Sequence, residues 1–181
     1  MASRSRWEVP SFRKQTDVQF DLDGLRLLAL QGCWREITDK FHGLRIQDLP
    51  PEDRLAYSAY SILAMLKTRQ YSAAALALEA LGGLEDSDGS VPFGLRRVAA
   101  ELPFCLGDAR AGFDALYRLS RRCRREAEHV GSGEDAARAL WWRRFEAVGL
   151  ALANRHLCAR EHIAALQWLR VLEGRRPGDP R

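Results

Sequence analysis

The chain has 181 residues, of which 46% are hydrophobic and 29% are charged, a composition that indicates a folded protein and excludes an intrinsically disordered one. The 28 basic residues exceed the 24 acidic residues only slightly, for a net charge of +4, so nucleic-acid binding does not follow from charge. No apolar run approaches the ~20 residues of a membrane span, and the start lacks the apolar core of a signal peptide. We therefore expect a cytoplasmic protein with no integral membrane segment and no nucleic-acid partner.

The amino-acid usage favours α-helix along the whole chain. Alanine, leucine and arginine dominate, whereas the strand-favouring residues isoleucine, threonine and valine are sparse. The cysteines lie far apart and form no C-x-x-C pair, which predicts reduced thiols that mostly pack as small hydrophobic residues. They are Cys33, Cys105, Cys123 and Cys158.

The first half of the chain predicts a flexible N-terminal segment followed by two helix pairs. Residues 1–20 are polar and aperiodic. Residues 21–43 contain two apolar-periodic stretches that are separated by Gly32, which predicts the first helix pair. Residues 52–81 predict the second pair, with a turn near 68–70. The apolar side chains expected on the first helix are Leu25, Leu28 and Leu30.

The second half predicts two further helix pairs. The third pair spans residues 92–125, with helices over about 92–106 and 109–119 and then a basic extension. Gly107 suits the end of its first helix, and Asp108 suits the cap of the second. Residues 135–173 predict the fourth pair, and residues 174–181 predict a disordered tail. We therefore expect an all-α domain over residues 21–173.

The second helices of the four pairs share a spacing. Each begins with an aromatic or small residue, has a small or apolar residue three positions later, and a large residue four positions after that. This pattern is typical of the tetratricopeptide repeat, a helix-turn-helix unit of ~34 residues, in which the small residue permits close helix approach. We expect a solenoid of about four antiparallel helix pairs, with a plain helical bundle as the alternative. The sets are Trp34/Ile37/Phe41, Tyr71/Ala74/Leu78, Ala109/Gly112/Leu116 and His162/Ala165/Leu169.

Two segments resemble one known family. In SVPFGLRRVAAELPFCLGDARAGFDALYRLSRRC, a V-P-F-x-x-R motif precedes A-E-L and L-G-D, and RALWWRRFEAVGLALANRHLCAREHIAALQWLRVLE contains L-W-x-x-R and then A-N. Both resemble the tetratricopeptide-repeat region of subunit 12 of the trafficking protein particle (TRAPP) complex, over about residues 25–175. The matching positions are Val91, Pro92, Phe93, Arg96, Ala100, Glu101, Leu102, Leu106, Gly107 and Leu116, then Leu140, Trp141, Arg144, Ala153, Asn154, Leu157 and Ala164 or Ala165.

The resemblance implies a non-catalytic scaffold of the TRAPP vesicle-tethering complex, which acts in transport from the endoplasmic reticulum to the Golgi. It implies other TRAPP subunits as partners and no cofactor. It also implies a location in the cytoplasm at the periphery of the Golgi and of the ER–Golgi intermediate compartment, with peripheral membrane association through the complex. The mitotic role in the nucleus that is reported for the family stays open.

The sequence motifs that could indicate metal binding or catalysis are weak. His156, Cys158 and His162 have a spacing that suggests zinc, but four convergent ligands are needed, and a core or half-exposed histidine is the favoured interpretation. The stretch 86–89, Asp-Ser-Asp-Gly, weakly resembles a calcium loop but lacks the later bidentate glutamate, which favours a polar turn. We found no nucleophile with a base at motif spacing and no glycine-rich phosphate loop. We therefore expect no catalytic residues and no metal site.

Two sets of residues are candidates for partner binding. The concave face of a repeat array binds peptides or helices and is lined by the first helix of each pair, which places Leu63, Lys67, Arg97, Glu101, Phe104, Leu150 and Asn154 there. The densest cluster of charge is a run of arginines, which has two interpretations. It is a solvated helix face with local pairing to Glu126 and Glu128, or a contact for an acidic partner, an acidic lipid or a phosphate backbone. It consists of Arg118, Arg121, Arg122, Arg124 and Arg125.

Two other functions compete with a TRAPP scaffold. One is a generic tetratricopeptide adaptor that binds short peptides or chaperones. The other is an enzyme or ligand carrier with a helical fold, which would need a dry pocket with convergent titratable groups.

Overall fold

The computed structural model describes residues 18–82, 91–131 and 133–174. Within these residues the chain is entirely helical, with eight α-helices, one short 3-10 helix and no strand. The all-α prediction is therefore confirmed. Most of the predicted N-terminal segment, the stretch 86–89 and nearly all of the predicted tail lie outside the described residues.

The chain divides after Gln70 into two compact units. The first unit contains α1 (Leu22–Leu30), α2 (Trp34–Phe41), the 3-10 helix (Ile46–Asp48) and α3 (Pro51–Lys67). The second unit contains α4 (Tyr71–Ala80), α5 (Phe93–Cys105), α6 (Ala109–His129), α7 (Asp135–Cys158) and α8 (His162–Glu173). The division assigns α3 and α4, which were predicted as one pair, to different units.

Local capping chemistry accounts for several helix ends. The Asp21 carboxylate accepts a hydrogen bond from the Gly24 backbone N–H at 2.7 Å and starts α1. The Asp108 carboxylate does the same for Ala111 at 2.9 Å and starts α6. Gly107 has φ +90°, a left-handed conformation that ends α5 with little strain. These turns lie where the sequence predicted them.

The core of the first unit is an aromatic and aliphatic cluster. The rings of Phe20, Phe41 and Tyr57 pack on one another with centroids 5.3–6.3 Å apart. Val18 is buried, and its carbonyl accepts a hydrogen bond from the Lys40 ammonium at 2.8 Å. Residues 18–20, which were predicted as part of the flexible segment, therefore belong to the folded unit.

One expected core residue of α1 is exposed. Leu25 and Leu28 are fully buried, but Leu30 is 78% exposed. Leu30 lies two positions after Leu28, a rotation of about 200° around a helix, so the two side chains face opposite sides. The expectation that Leu30 shares the apolar face is therefore wrong.

The core of the second unit lies between α5, α6 and α7. Its buried members come from all three helices, and aromatic rings from α5 to α8 pack around them. They are Ala100, Leu116, Leu119, Cys123, Phe145, Val148 and Leu152. Because α6 and α7 each supply three of these side chains, the contact between their apolar faces forms most of this core.

Helices α5 and α6 approach each other closely at Gly112 of α6. A Cβ built on Gly112 would lie 2.5 Å from carbons of the Phe104 ring on α5. We expect Gly112→Ala to destabilise the chain by about 1–3 kcal/mol, because the ring must shift within a packed hairpin. Chemical denaturation checks this. The control is Gly94→Ala on α5, where a Cβ meets nothing within 4 Å, and a result equal to this control would contradict the close approach.

The cysteines differ in accessibility. Cys123 is fully buried, Cys33 and Cys105 are half-buried, and Cys158 is exposed. Burial raises the pKa of the Cys123 thiol from 9.0 to about 11. The prediction that the cysteines pack as small hydrophobic residues therefore fits Cys123 best and fits Cys158 poorly.

The raised pKa of Cys123 predicts a pH dependence of stability. The unfolded thiol ionises near pH 9.0 and the folded thiol near pH 11, so between these values unfolding releases a proton. The contribution of the protonated Cys123 thiol to the free energy of unfolding is complete below about pH 9. It falls as pH rises, by at most about 1.4 kcal/mol per pH unit. Measurements of the free energy of unfolding from about pH 8 to about pH 11 check this, because this range spans the titration of the thiol. In Cys123→Ala this part of the slope should disappear, and an unchanged slope would contradict the prediction.

Candidate functional site

A groove between α5 and α7 brings together four of the residues predicted on the concave face. Arg97 and Glu101 lie one turn apart on α5, and Leu150 and Asn154 lie one turn apart on α7. The groove encloses about 370 Å³ and is completed by Ala147, Ala151 and Arg155. We call it the α5–α7 groove.

The charges on the α5 wall of this groove are paired. The Arg97 Nε donates to Glu101 Oε1 at 2.8 Å, an ion pair of i,i+4 spacing. Such partly exposed helical pairs contribute about 0.3–0.5 kcal/mol to stability, so a charged group of a ligand can replace one partner at little cost. On the α7 wall, Leu150 is 55% exposed. The groove therefore offers an exposed apolar side chain opposite an exchangeable ion pair, which suits contact with a peptide.

The other predicted concave-face residues do not line the α5–α7 groove. Leu63 and Lys67 lie on α3 in the first unit, where Lys67 borders a cleft of about 450 Å³ together with Trp34. Phe104 packs inside the hairpin of α5 and α6, edge-on to Phe113 with centroids 5.1 Å apart. Its ring also supports the Arg155 guanidinium, 4.6 Å from the centroid, so Phe104 contributes to the groove only indirectly.

The basic run lies on α6 and shows local pairing. Arg124 Nε contacts Glu128 Oε1 at 2.8 Å, and Arg122 Nε approaches Glu126 Oε1 at 3.9 Å. Burial, and then the nearby charge of Arg122, lower the pKa of Arg96. Arg118, Arg121 and Arg125 are exposed. Local pairing accounts for part of the run, as one of the two interpretations expects.

Arg121 and Arg124 also border a second groove, which sequence reasoning missed. It lies between α6 and α8 above a floor from α7, encloses about 400 Å³, and we call it the α6–α8 groove. Tyr117, Arg121 and Arg124 follow the i, i+4, i+7 spacing, so a helical wheel could have placed them on one face of α6. Its lining residues are Tyr117, Ser120, Arg121, Arg124, Phe145, Ala164, Gln167, Trp168 and Val171.

A chain of hydrogen bonds ties α6, α7 and α8 together at one end of the α6–α8 groove. The Trp168 Nε1–H donates to the Tyr117 hydroxyl at 3.3 Å, and this hydroxyl lies 2.9 Å from His156 Nε2. The His156 Nδ1 lies 2.6 Å from Glu161 Oε2. Because the Glu161 carboxylate only accepts, Nδ1–H donates to Glu161, and in a neutral imidazole Nε2 then accepts from the Tyr117 hydroxyl.

The buried histidine is separated from the other residues of its sequence motif. His156 is 6% exposed, whereas Cys158 and His162 are exposed. In the part of the chain that the structure describes, no group of three or more His, Cys, Asp or Glu side chains is placed to hold a metal. His156 is therefore a core histidine, one of the two environments in the favoured interpretation, whereas His162, which was expected to pack within its helix pair, is exposed.

The two segments that carry the family resemblance meet in the second unit. The Arg144 guanidinium lies over the Phe93 ring at 5.1 Å and over the Trp141 ring at 4.4 Å from the centroids. Phe93 belongs to the V-P-F motif, and Trp141 and Arg144 belong to the L-W-x-x-R motif. These motif residues therefore form one packing contact between α5 and α7.

Comparison with known proteins gives no relative. No family model matches the chain, and neither the curated proteins nor the solved structures contain a significant match. Among residues 18–82, 91–131 and 133–174, no helix is both long and apolar enough to cross a membrane.

Proposed function

We propose that this chain is a non-catalytic scaffold, a tetratricopeptide-like solenoid of helix pairs whose surface binds other proteins. The observation that carries the proposal is the packing order in the second unit, where each helix from α4 to α7 packs on the next helix along the chain, up to α8. In repeat proteins each element contacts its sequence neighbours in this way. The small residues Ala74, Gly112 and Ala165 are buried, as the repeat pattern requires.

The more specific proposal is that the chain acts as a module of the TRAPP complex in transport from the endoplasmic reticulum to the Golgi. It rests on the V-P-F and L-W-x-x-R segments. Its support is that Phe93, Trp141 and Arg144, which carry the resemblance, form one contact. The partners are then other TRAPP subunits, and membrane association is peripheral, through the complex.

We propose the α5–α7 groove as a binding surface for such a partner. Leu150 is exposed there, and protein interfaces combine an apolar centre with a polar edge. Asn154 on the same wall offers hydrogen bonds to a partner backbone. The partly exposed Arg97–Glu101 pair supplies the polar edge.

Affinity purification followed by mass spectrometry tests this function. The full chain carries a tag and is purified from cells beside a tag-only control. We expect TRAPP subunits to be enriched with the chain. Recovery of chaperones without TRAPP subunits would instead favour the generic tetratricopeptide adaptor, for which the α5–α7 groove is also large enough. Recovery of neither class would contradict the scaffold proposal.

A further inference from the structure

The α6–α8 groove has an aromatic floor that is recessed from the surface. Phe145 at its base is 4% exposed, and Tyr117 and Trp168 are half-buried beside it. The three rings come from three different helices. Hydrogen bonds from Trp168 to Tyr117 and from Tyr117 to His156 hold two of them, and Phe145 packs on Trp168 with centroids 6.1 Å apart. A volume of about 400 Å³ above such a floor accommodates one or two large side chains of a ligand.

The two walls of this groove differ in charge. The α6 wall carries Arg121 and Arg124, both exposed and three positions apart on the same helix face. The α8 wall presents Gln167 and Val171, which carry no charge. The groove is therefore cationic along one side and apolar at its base.

The two arginines are available to a ligand. Arg121 forms no ion pair within the described parts of the chain. Arg124 pairs with Glu128 on its own helix, but the two side chains are 58% and 47% exposed. Because water screens an exposed pair of this kind, a ligand carboxylate can replace Glu128 at little cost. Both guanidiniums can bind carboxylates with two parallel hydrogen bonds.

We propose that the α6–α8 groove binds an acidic peptide segment of a partner protein, which inserts one large apolar side chain onto the aromatic floor and pairs its carboxylates with Arg121 and Arg124. The inference rests on the proposed scaffold function and adds a site and a ligand chemistry to it. A buried apolar anchor beside complementary charges is the usual arrangement of a peptide-binding groove.

A membrane surface fits this groove less well than a peptide. Insertion into a bilayer requires aromatic side chains that protrude from the protein, as on an amphipathic helix at an interface. Phe145 is instead buried and the groove is recessed between two helices. An anionic lipid would reach the arginines but would leave the aromatic floor unused.

Selection from random displayed peptides on the full chain tests the proposal. We expect the enriched peptides to contain a large apolar residue with at least two neighbouring Asp or Glu residues. A fluorescein-labelled copy of the most enriched peptide is then titrated onto each variant. Arg121→Glu and Arg124→Glu should each weaken binding about tenfold or more, because attraction becomes repulsion. Ala164→Trp, which fills the groove without a change of charge, should weaken it by a similar factor.

The matched control is Arg143→Glu. Arg143 is exposed on α7, two positions before Phe145 and so on the other side of that helix. It carries the same charge change away from the groove, and we expect peptide binding to change less than about twofold, because salt screens exposed charges that lie far from the ligand. Circular dichroism of every variant confirms that the helices remain.

Three results would overturn the inference. The first is a selection that enriches no peptide or enriches peptides without acidic residues. The second is equal binding by Arg121→Glu and Arg143→Glu. The third is binding to phosphatidylserine vesicles that Arg121→Glu abolishes, with no peptide selected, which would make this surface a lipid contact. The scaffold function is judged separately, since recovery of TRAPP subunits with the wild-type chain would still support it after any of these results.

Discussion

Replacement of Leu116 by alanine is expected to lower the free energy of unfolding of the second unit by about 2–5 kcal/mol. Leu116 on α6 is fully buried and packs in the cluster with Ala100, Phe145, Val148 and Leu152, which come from α5 and α7. Removal of three side-chain carbons leaves a cavity among helices that hold one another in place. The change is measured by chemical denaturation with far-UV circular dichroism.

The matched control for Leu116→Ala is Leu76→Ala. Leu76 lies on α4, also in the second unit, and is 67% exposed. The same chemical change there should alter stability by no more than about 0.5 kcal/mol. If the two variants lose similar amounts, Leu116 is not a core residue and the packing of α6 between α5 and α7 is incorrect.

His156→Ala is expected to cost about 3 kcal/mol in stability. The change removes the acceptor of the Tyr117 O–H, which keeps only the hydrogen bond that it accepts from Trp168. Loss of an acceptor costs about 1–3 kcal/mol, and a cavity adds to this loss. The imidazole also stacks on the Phe113 ring with centroids 4.5 Å apart, a contact that alanine removes. Thermal and chemical unfolding of the variant measure the sum.

Two further variants separate the contributions of His156. His156→Phe keeps the ring volume and the stacking on Phe113 but removes both hydrogen bonds. It should therefore regain the stability that His156→Ala loses to the cavity, but not the stability lost with the hydrogen bonds. Glu161→Gln keeps an oxygen near Nδ1, and because the Glu161 side chain is 55% exposed its effect should be small. A His156→Ala protein as stable as the wild type would contradict a structural role for the network.

Much of the fold could be predicted because turn and cap chemistry is local. Gly32 and Gly107 have φ of +74° and +90°, and Asp108 caps α6, so these helix ends follow from residues a few positions apart. The end of α6 was predicted too early. This helix continues past Leu119 to His129, where pairs such as Arg124–Glu128 favour further turns.

The sites were harder to predict because they depend on which helices pack together. Arg97, Glu101, Leu150 and Asn154 could be placed in one groove by helical spacing and an assumed repeat. The α6–α8 groove required the position of Trp168 relative to Tyr117, residues that are far apart in sequence. Neither periodicity nor charge indicates that tertiary contact.

The middle helix shows a further limit of periodicity. α7 packs on both α6 and α8, so apolar residues occur on more than one of its faces. Leu152 on α7 is buried, whereas Leu150 and Leu157 are exposed. Because an apolar residue can face either neighbour or the solvent, the pattern predicts a helix but leaves its rotation open. The choice of Leu150 as a candidate for partner binding therefore rested on the assumed repeat and not on the apolar pattern of α7 itself.

The most direct test of the scaffold claim compares matched surface variants in quantitative affinity purification. Leu150→Glu places a charge in the α5–α7 groove, and Leu76→Glu makes the same change at an exposed leucine on α4. We predict that TRAPP subunits are recovered with the wild-type chain and with Leu76→Glu, and that Leu150→Glu loses them by tenfold or more, about 1.4 kcal/mol. Equal recovery by the two variants, or no enrichment with the wild-type chain, would contradict the account.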